Sequence, residues 1–324
     1  MILVGEHFVV KGIPALAAAL GLYSYACWDE FNEETVLVDA VNLGVTCRVY
    51  PANVCGAKLA GLARIAEIIG ARGIRVRVWS EAPMGAGLGS SASVSTVFAA
   101  ALLDAVEGTV EEERVAELAF EAEVVHHGKP SGIDNTVALH GGFILYHSRL
   151  IYERITPGTR FTLILADTGV ERSTRKAVEF VLSRYSRLRG AASLVYLAAW
   201  KLVEEAANAV HVGDARRLGE IMDVAHGLLY AMGVSTPEIE RLVWAARRAG
   251  AFGAKLTGAG MGGVVIALVD ESVAEKVAEA LQDSGAKWVR TAKLGVEGLT
   301  RVEHVKTWES KSLDEGLKSE QLRG

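Results

Sequence analysis

The stretch EAPMGAGLGSSASVSTVF, Glu81–Phe98, sets three glycines and two adjacent serines between a proline and an apolar helical pattern. Glycines at 85, 87 and 89 remove side chains, which lets backbone N–H groups converge on an anion, and the helix expected to begin near Ser91 points its positive end at the same spot. The serines add hydroxyls at that helix start, where they can cap it, contact phosphate or help hold Mg²⁺. A serine-capped turn from strand to helix accounts for the composition equally well at this point. Spacing excludes two alternatives: no Lys stands in a GxxxxGK[ST] arrangement, and no GxSxG surrounds either serine.

Working outward, IRVRVW (Ile74–Trp79) alternates apolar and basic residues as a half-buried strand does, and leads directly into the loop. Before it, Ala57–Ala71 has helical spacing, with Leu59, Leu62, Ile65 and Ile69 on one side and Gly73 as its expected end. After the loop, Ala92–Val106 reads as a mostly buried helix, and a second helix begins near Glu111 in an acidic first turn and runs to about His127. Beyond Gly141 the pattern is extended (FILY, then FTLILA from Phe161), and long helices follow from about Ser173 to Gly250, one of them started by Thr236 and Pro237. Ala254–Val269 reads as strand, glycine loop and β-branched strand. A helix over Val273–Leu281 and a short strand over Trp288–Thr291 close the folded part.

The shift from mixed to helical pattern divides the chain into an N-terminal lobe over residues 1–155 and a C-terminal lobe over 156–306, with a polar, frayed tail over 307–324. With 324 residues, 50% of them hydrophobic, the chain is long enough for two ordinary domains or one two-lobed one. A formal net charge of -5 and the lack of any Lys/Arg run argue against nonspecific nucleic-acid binding. Cys27, Cys47 and Cys55 form no CxxC pattern and are expected as buried thiols in a reducing, cytoplasmic compartment. The uncharged run Gly12–Trp28 lacks a basic flank and is interrupted by Pro14 and Gly21, so it is expected as strand and turn rather than leader or membrane span.

Two further stretches carry chemistry. Gly258–Gly263 matches GxGxxG as a string, but a strand follows where a dinucleotide-binding helix would begin, so the loop is expected to approach a ligand or another backbone closely. In EAEVVHHGKPSGIDN (Glu121–Asn135), Glu123 near a helix end and Asp134 beyond a Pro-Ser-Gly turn can converge, one carboxylate on metal and the other near a proton. Each also suits an ordinary solvated helix or turn residue. His126 and His127 are adjacent, so they face different sides of a helix and are read as surface or capping residues.

Together GEHFVVKGIPALA (Gly5–Ala17), PMGAGLGSSAS, GKPSGID, DTGVERST (Asp167–Thr174) and KLTGAGMGG (Lys255–Gly263) resemble, in order, the motifs of mevalonate kinases in the GHMP kinase superfamily. The resemblance implies a two-lobed α+β fold with the active site in the cleft between the lobes, ATP and Mg²⁺ as cofactors, and (R)-mevalonate as the small-molecule acceptor; it leaves a homodimer open. Asp134 would orient or deprotonate the 5-hydroxyl. Pro83, Gly85, Ala86, Gly87, Leu88, Gly89, Ser90 and Ser91, with Gly258 and Gly260, would hold the phosphates. Ser91 and Glu123 would hold Mg²⁺, and Glu6, His7 and Thr174 would surround the acceptor. Sister kinases acting on phosphomevalonate, on the 3-hydroxyl of mevalonate or on homoserine share much of this pattern, and a silent nucleotide-binding protein is the distant alternative.

Two departures stand out. The family pattern carries a Pro-Gly-Lys segment whose Lys would immediately precede Met1; the expectation is a shortened start, with the N-terminal amine as a substitute cation otherwise. Met261 replaces a usual glycine in the last loop and is expected to narrow the cleft.

Overall fold

The structure is a computed structural model that describes residues 1–302 apart from 84, 129 and 172, and apart from the side chain of residue 127. The tail expected from Thr307 lies outside the described residues. In chain order the elements are β1 (Ile2–Val4), β2 (Ala15–Ala18), β3 (Ser24–Glu30), β4 (Val36–Ala40), β5 (Val45–Tyr50), α1 (Ala60–Ile69), β6 (Ile74–Ser80), α2 (Ser90–Glu107), α3 (Glu112–His127), α4 (Ile133–His140), β7 (Phe143–Ser148) and β8 (Ile151–Ile155). They continue with β9 (Phe161–Asp167), α5 (Thr174–Arg187), α6 (Arg189–Val212), α7 (Ala215–Met232), α8 (Pro237–Ala249), β10 (Gly253–Leu256), β11 (Val264–Val269), α9 (Ala274–Asp283) and β12 (Val289–Leu294).

Three sheets organise these elements, in the orders β3-β6-β4-β5, β1-β2-β7-β8 and β10-β11-β9-β12. The first contains a parallel pair, β4 with β6, and is covered by α1, α2 and α3 over a core that includes Val38, Val76, Ile65, Phe98 and Leu118. β6 shows why it is a strand: its residues alternate between buried and half-buried along IRVRVWS, which matches the pleat. In the third sheet β11 is buried along its whole length because β10 and β9 flank it and helices cover it. Its hairpin partner β10 confirms the expected strand–loop–strand reading of Ala254–Val269. α8 starts as expected, with Thr236 Oγ1 accepting from the Ile239 N–H at 3.5 Å and Pro237 in the first turn. Its acidic first turn and basic last turn suit the helix dipole.

Core residues from both sides of residue 155 pack together: Leu3, Leu16 and Phe143 meet Phe161, Leu165 and Ile266, with the Phe143 and Phe161 rings edge to face at 5.5 Å between centroids. The second and third sheets therefore share one core across residue 155.

Two local expectations are corrected. The first helix stops at Gly70, whose left-handed φ of 70° ends it three residues before Gly73. Cys47 and Cys55 are joined in a disulfide, because the chain turns back after β5 and brings these two residues, eight apart in sequence, to a Cα separation of 5.9 Å. Only Cys27 is a free thiol, half-buried rather than buried. Met261, partly buried, packs against the core cluster that includes Leu256 and Val265. No helix among the described residues is long and apolar enough to cross a membrane.

Candidate active site

α2 begins where the sequence suggested, but its cap is Gly89 in a left-handed conformation, with no side-chain capping bond. The first helical positions are therefore Ser90 and Ser91, and their hydroxyls are left for other partners. Glycines 85, 87 and 89 all have positive φ, between 70° and 79°, which L side chains adopt at a cost. A Cβ on Gly85 would meet nothing within 4 Å, so this part of the loop opens to the surroundings. A Cβ on Gly89 would stand 3.1 Å from Asp134 Oδ1. The bare end of the loop thus lets the Asp134 carboxylate lie directly against it.

Asp134 gets there through local structure. Tyr146 on β7 donates its hydroxyl to the Ser131 carbonyl, and burial pushes that phenol up to about 12. Gly132 follows as a left-handed cap, and α4 starts with Asp134 in its first turn. The Asp134 side chain remains 45% exposed, consistent with a carboxylate facing a cleft. The buried Met1 ammonium donates to the Ala18 carbonyl at 3.2 Å and lies 3.8 Å from Asp134 Oδ1. Burial pulls that amine below its ordinary pKa, and the Asp134 charge opposes the shift. Met1, Leu88, Gly89 and Asp134 share a cleft of about 130 Å³.

On the other side of the loop, Ser91 Oγ donates to Glu123 Oε1 at 2.6 Å. Glu123 is buried near the end of α3, so helix α3 carries a hard-oxygen donor to the first turn of α2. A second cavity of about 260 Å³ adjoins Gly85, Ser90 and Ser91 and has apolar walls, among them Ala40, Leu43, Leu59 and Val78, with Lys58 and the exposed His126 also lining it. Nothing in the linear sequence marked this cavity, since its walls come from β4, β6, α1 and α2 and share no motif.

The N-terminal motif is fastened to the last glycine loop. Glu6 and Lys255, 2% and 0% exposed, form an ion pair, and Lys255 Nζ also donates to the Leu256 carbonyl at 2.7 Å. Burial pushes the Glu6 carboxyl up and the Lys255 ammonium down, each opposed by the other's charge. His7 sits at φ 61° and its Nε2 donates to the Ala259 carbonyl at 2.8 Å, while Thr257 Oγ1 donates to the Ile2 carbonyl at 2.9 Å. Beneath this strand, His226 Nδ1 accepts from the Leu256 N–H at 3.3 Å and Nε2 donates to Glu240 Oε1 at 2.9 Å. Burial lowers His226 to about 4, so it is the neutral form that makes both bonds. Lys255, His226 and Glu240 were not read as site residues; the single clue was a Lys inside the otherwise apolar GAKL.

Thr168 Oγ1 donates to the Gly263 carbonyl at 2.9 Å, and the Gly263 N–H donates to the Val170 carbonyl at 3.2 Å, so the DTGV segment packs on the same loop. Thr174 follows it, exposed at the first residue of α5. Gly260 has no room for a side chain, because a Cβ there would lie 2.5 Å from the Val234 carbonyl. Asp134, Gly89, Ser91 and Glu123 are thus gathered around one loop. Glu6 and His7 are gathered around the other, and Thr174 stays at its margin.

A two-lobed fold with a bare glycine–serine loop at a helix start, a carboxylate against that loop and a hydroxyl–carboxylate pair beside it defines a small-molecule kinase of the GHMP class. Residues 53–142 match the GHMP kinases N terminal domain, and residues 202–287 match GHMP kinases C terminal. A mevalonate kinase of Aeropyrum pernix is 40% identical over 308 residues, covering 92% of this chain and 94% of the relative, and one of Arabidopsis thaliana is 31% identical, covering 92% and 96%. The crystal structure of L. major mevalonate kinase in complex with R-mevalonate superimposes with a TM-score of 0.81 at 28% identity, covering 92% of this chain and 94% of that one. The chain belongs to the mevalonate kinase family.

Proposed function

We propose that this chain transfers the γ-phosphoryl group of ATP to the 5-hydroxyl of (R)-mevalonate, in the cytoplasm, using a cleft between lobes that meet near residue 155. The observation that carries the chemistry is the Asp134 carboxylate lying against Gly89 of the glycine–serine loop. A hydroxyl brought to Asp134 is held next to the loop that cradles the phosphates, and the carboxylate orients it and accepts its proton as the new P–O bond forms and the bond from the γ-phosphorus to the β,γ-bridging oxygen breaks, leaving ADP. Backbone N–H groups from Gly85 to Ser91 and the start of α2 offset the phosphate charge, with Pro83, Ala86 and Leu88 shaping the loop. Gly258 and Gly260 close on the phosphates from the second lobe. The apolar cavity beside Gly85 and Ser90 suits a purine base.

Ser91 and Glu123 fit Mg²⁺ as one hydroxyl and one carboxylate, the hard-oxygen set on which that ion relies when phosphates supply the remaining ligands. Held by the Ser91 hydroxyl and the Glu123 carboxylate, Mg²⁺ would supply neutralisation of phosphate charge. Among the described residues no group of three or more His, Cys, Asp or Glu side chains could hold a metal ion. Glu6, His7 and Thr174 complete the acceptor end; the Glu6 carboxylate, held by Lys255, acts by fixing the backbone around it.

The test is incubation of the chain with MgATP and (R)-mevalonate, with the phosphate located by phosphorus–proton NMR. Phosphate on the 5-oxygen is expected. Phosphate on the 3-oxygen, or turnover only with phosphomevalonate or homoserine, would assign the chain to a sister activity, and ATP binding without any turnover would make it a silent nucleotide-binding protein.

A further inference from the structure

The loop that cradles phosphate must be held open yet fixed, and its glycines make that costly in entropy. Its two stems meet at a single hydroxyl. Ser24, the first residue of β3, pairs in register with Ser80, the last residue of β6, from which the loop departs. Ser24 Oγ donates to Ser80 Oγ at 2.9 Å, and the same Ser24 oxygen lies 2.7 Å from Ser93 Oγ in the first turns of α2, where the loop ends. Ser93 Oγ is also within 3.1 Å of the Ser90 carbonyl. On the departing stem, Ser80 Oγ accepts from the Ala82 N–H at 3.2 Å. The Asn42 side chain brackets the Ser80 backbone, donating to its carbonyl at 2.9 Å and accepting from its N–H at 2.7 Å.

We propose that Ser24, through Ser80 and Ser93, is a positioning residue that clamps the two stems of the glycine–serine loop and so sets the affinity for the triphosphate of ATP. Its hydroxyl is held by Ser80 and Ser93 at the wall of the Asp134 cleft; it acts by tying the two stems of the loop together at their base, so that the loop N–H groups need not be ordered when the nucleotide binds. Three hydroxyls sharing hydrogens around one node form a unit, so removal of one member releases the others. The inference rests on the reading of this loop as the ATP site.

The experiment measures MgATP dissociation constants by calorimetry, together with kcat and both KM values, for the full chain and for Ser24→Ala, Ser93→Ala and the double variant. Loss of one net hydrogen bond predicts a weakening of ATP binding of about three- to tenfold in each single variant. KM for mevalonate should stay within about twofold, and the double variant should be no weaker than the worse single one. Ser93→Thr, which keeps the hydroxyl, should restore most of the affinity. Unchanged ATP binding in the single variants overturns the clamp even if their melting points fall, and so does strict additivity in the double. If the parent chain binds ATP without phosphorylating mevalonate, the acceptor assignment fails and the clamp is decided by the dissociation constants alone. If it binds no ATP, both fail.

Discussion

The two glycine loops look alike in sequence and are glycine-rich for opposite reasons. In Gly85–Gly89 the absent side chains face open space at Gly85 and a carboxylate at Gly89. At Gly260 and Gly262 of the second loop protein backbone occupies the space: a Cβ on Gly260 would be 2.5 Å from the Val234 carbonyl, and one on Gly262 would be 2.6 Å from the Val170 carbonyl. The Met261 N–H donates to that same Val234 carbonyl at 2.6 Å. The first loop is bare where space is open to a ligand, and the second is bare at Gly260 and Gly262 where the segments carrying Val234 and Val170 pack against it. Glycine content alone therefore says that something comes close, but not what.

The largest test of this contrast is at the open loop. Asp134→Asn should lower kcat by about 10²- to 10⁴-fold, with the ATP dissociation constant little changed; a variant that retained turnover would remove Asp134 as the base. Next come matched alanines. Gly260→Ala should destabilise the fold by about 2 kcal/mol or more, because the left-handed backbone and the Val234 carbonyl both oppose a Cβ. Gly85→Ala should cost only the backbone share, about 1–2 kcal/mol, and should instead raise KM for ATP. Denaturation midpoints and KM values measured together would break the comparison if the two variants behaved alike.

A third prediction concerns the strand that supports the pinned loop. His226 titrates at about 4 in the fold against an ordinary 6.5, so the unfolded chain binds more protons between those values. Stability from this group is complete above pH 6.5 and is lost as pH falls toward 4, by roughly 3 kcal/mol in total. The neighbouring charges are Glu240, which favours the protonated ring, and Lys255 and Arg247, which disfavour it. Urea midpoints at pH 7 and pH 4.5 should differ less in His226→Asn than in the parent. The smallest effect sharpens the open loop: Glu123→Gln should raise the Mg²⁺ concentration for half-maximal activity roughly tenfold by removing the charged ligand, while the melting point moves little.

Much of the architecture was legible because it is locally encoded. β6 announces itself by alternation, α8 by Thr236 and Pro237, and the hairpin of β10 and β11 by apolar runs on either side of glycines. The candidate residues Asp134 and Ser91 were legible because the turns that deliver them are short and carry their own glycines, and Glu123 because it lies near the end of a helix with an acidic first turn. What was missed lacks local encoding. Cys47 and Cys55 follow no recognisable spacing, yet a turn-back of the chain joins them. The apolar cavity at the loop is assembled from elements spread over residues 40–126.

The amino-acid sequence by itself determined the order of elements, the two glycine loops and the carboxylates near them, since helix starts, strand alternation and glycine turns depend on residues a few positions apart. Tertiary structure alone decided which loop is open and which is pinned. It also paired Glu6 with Lys255 across 249 residues and gathered Ser24, Ser80 and Ser93 on one hydroxyl. Such contacts follow from how sheets and helices pack, and a buried charge or hydroxyl finds its partner only when that packing excludes water.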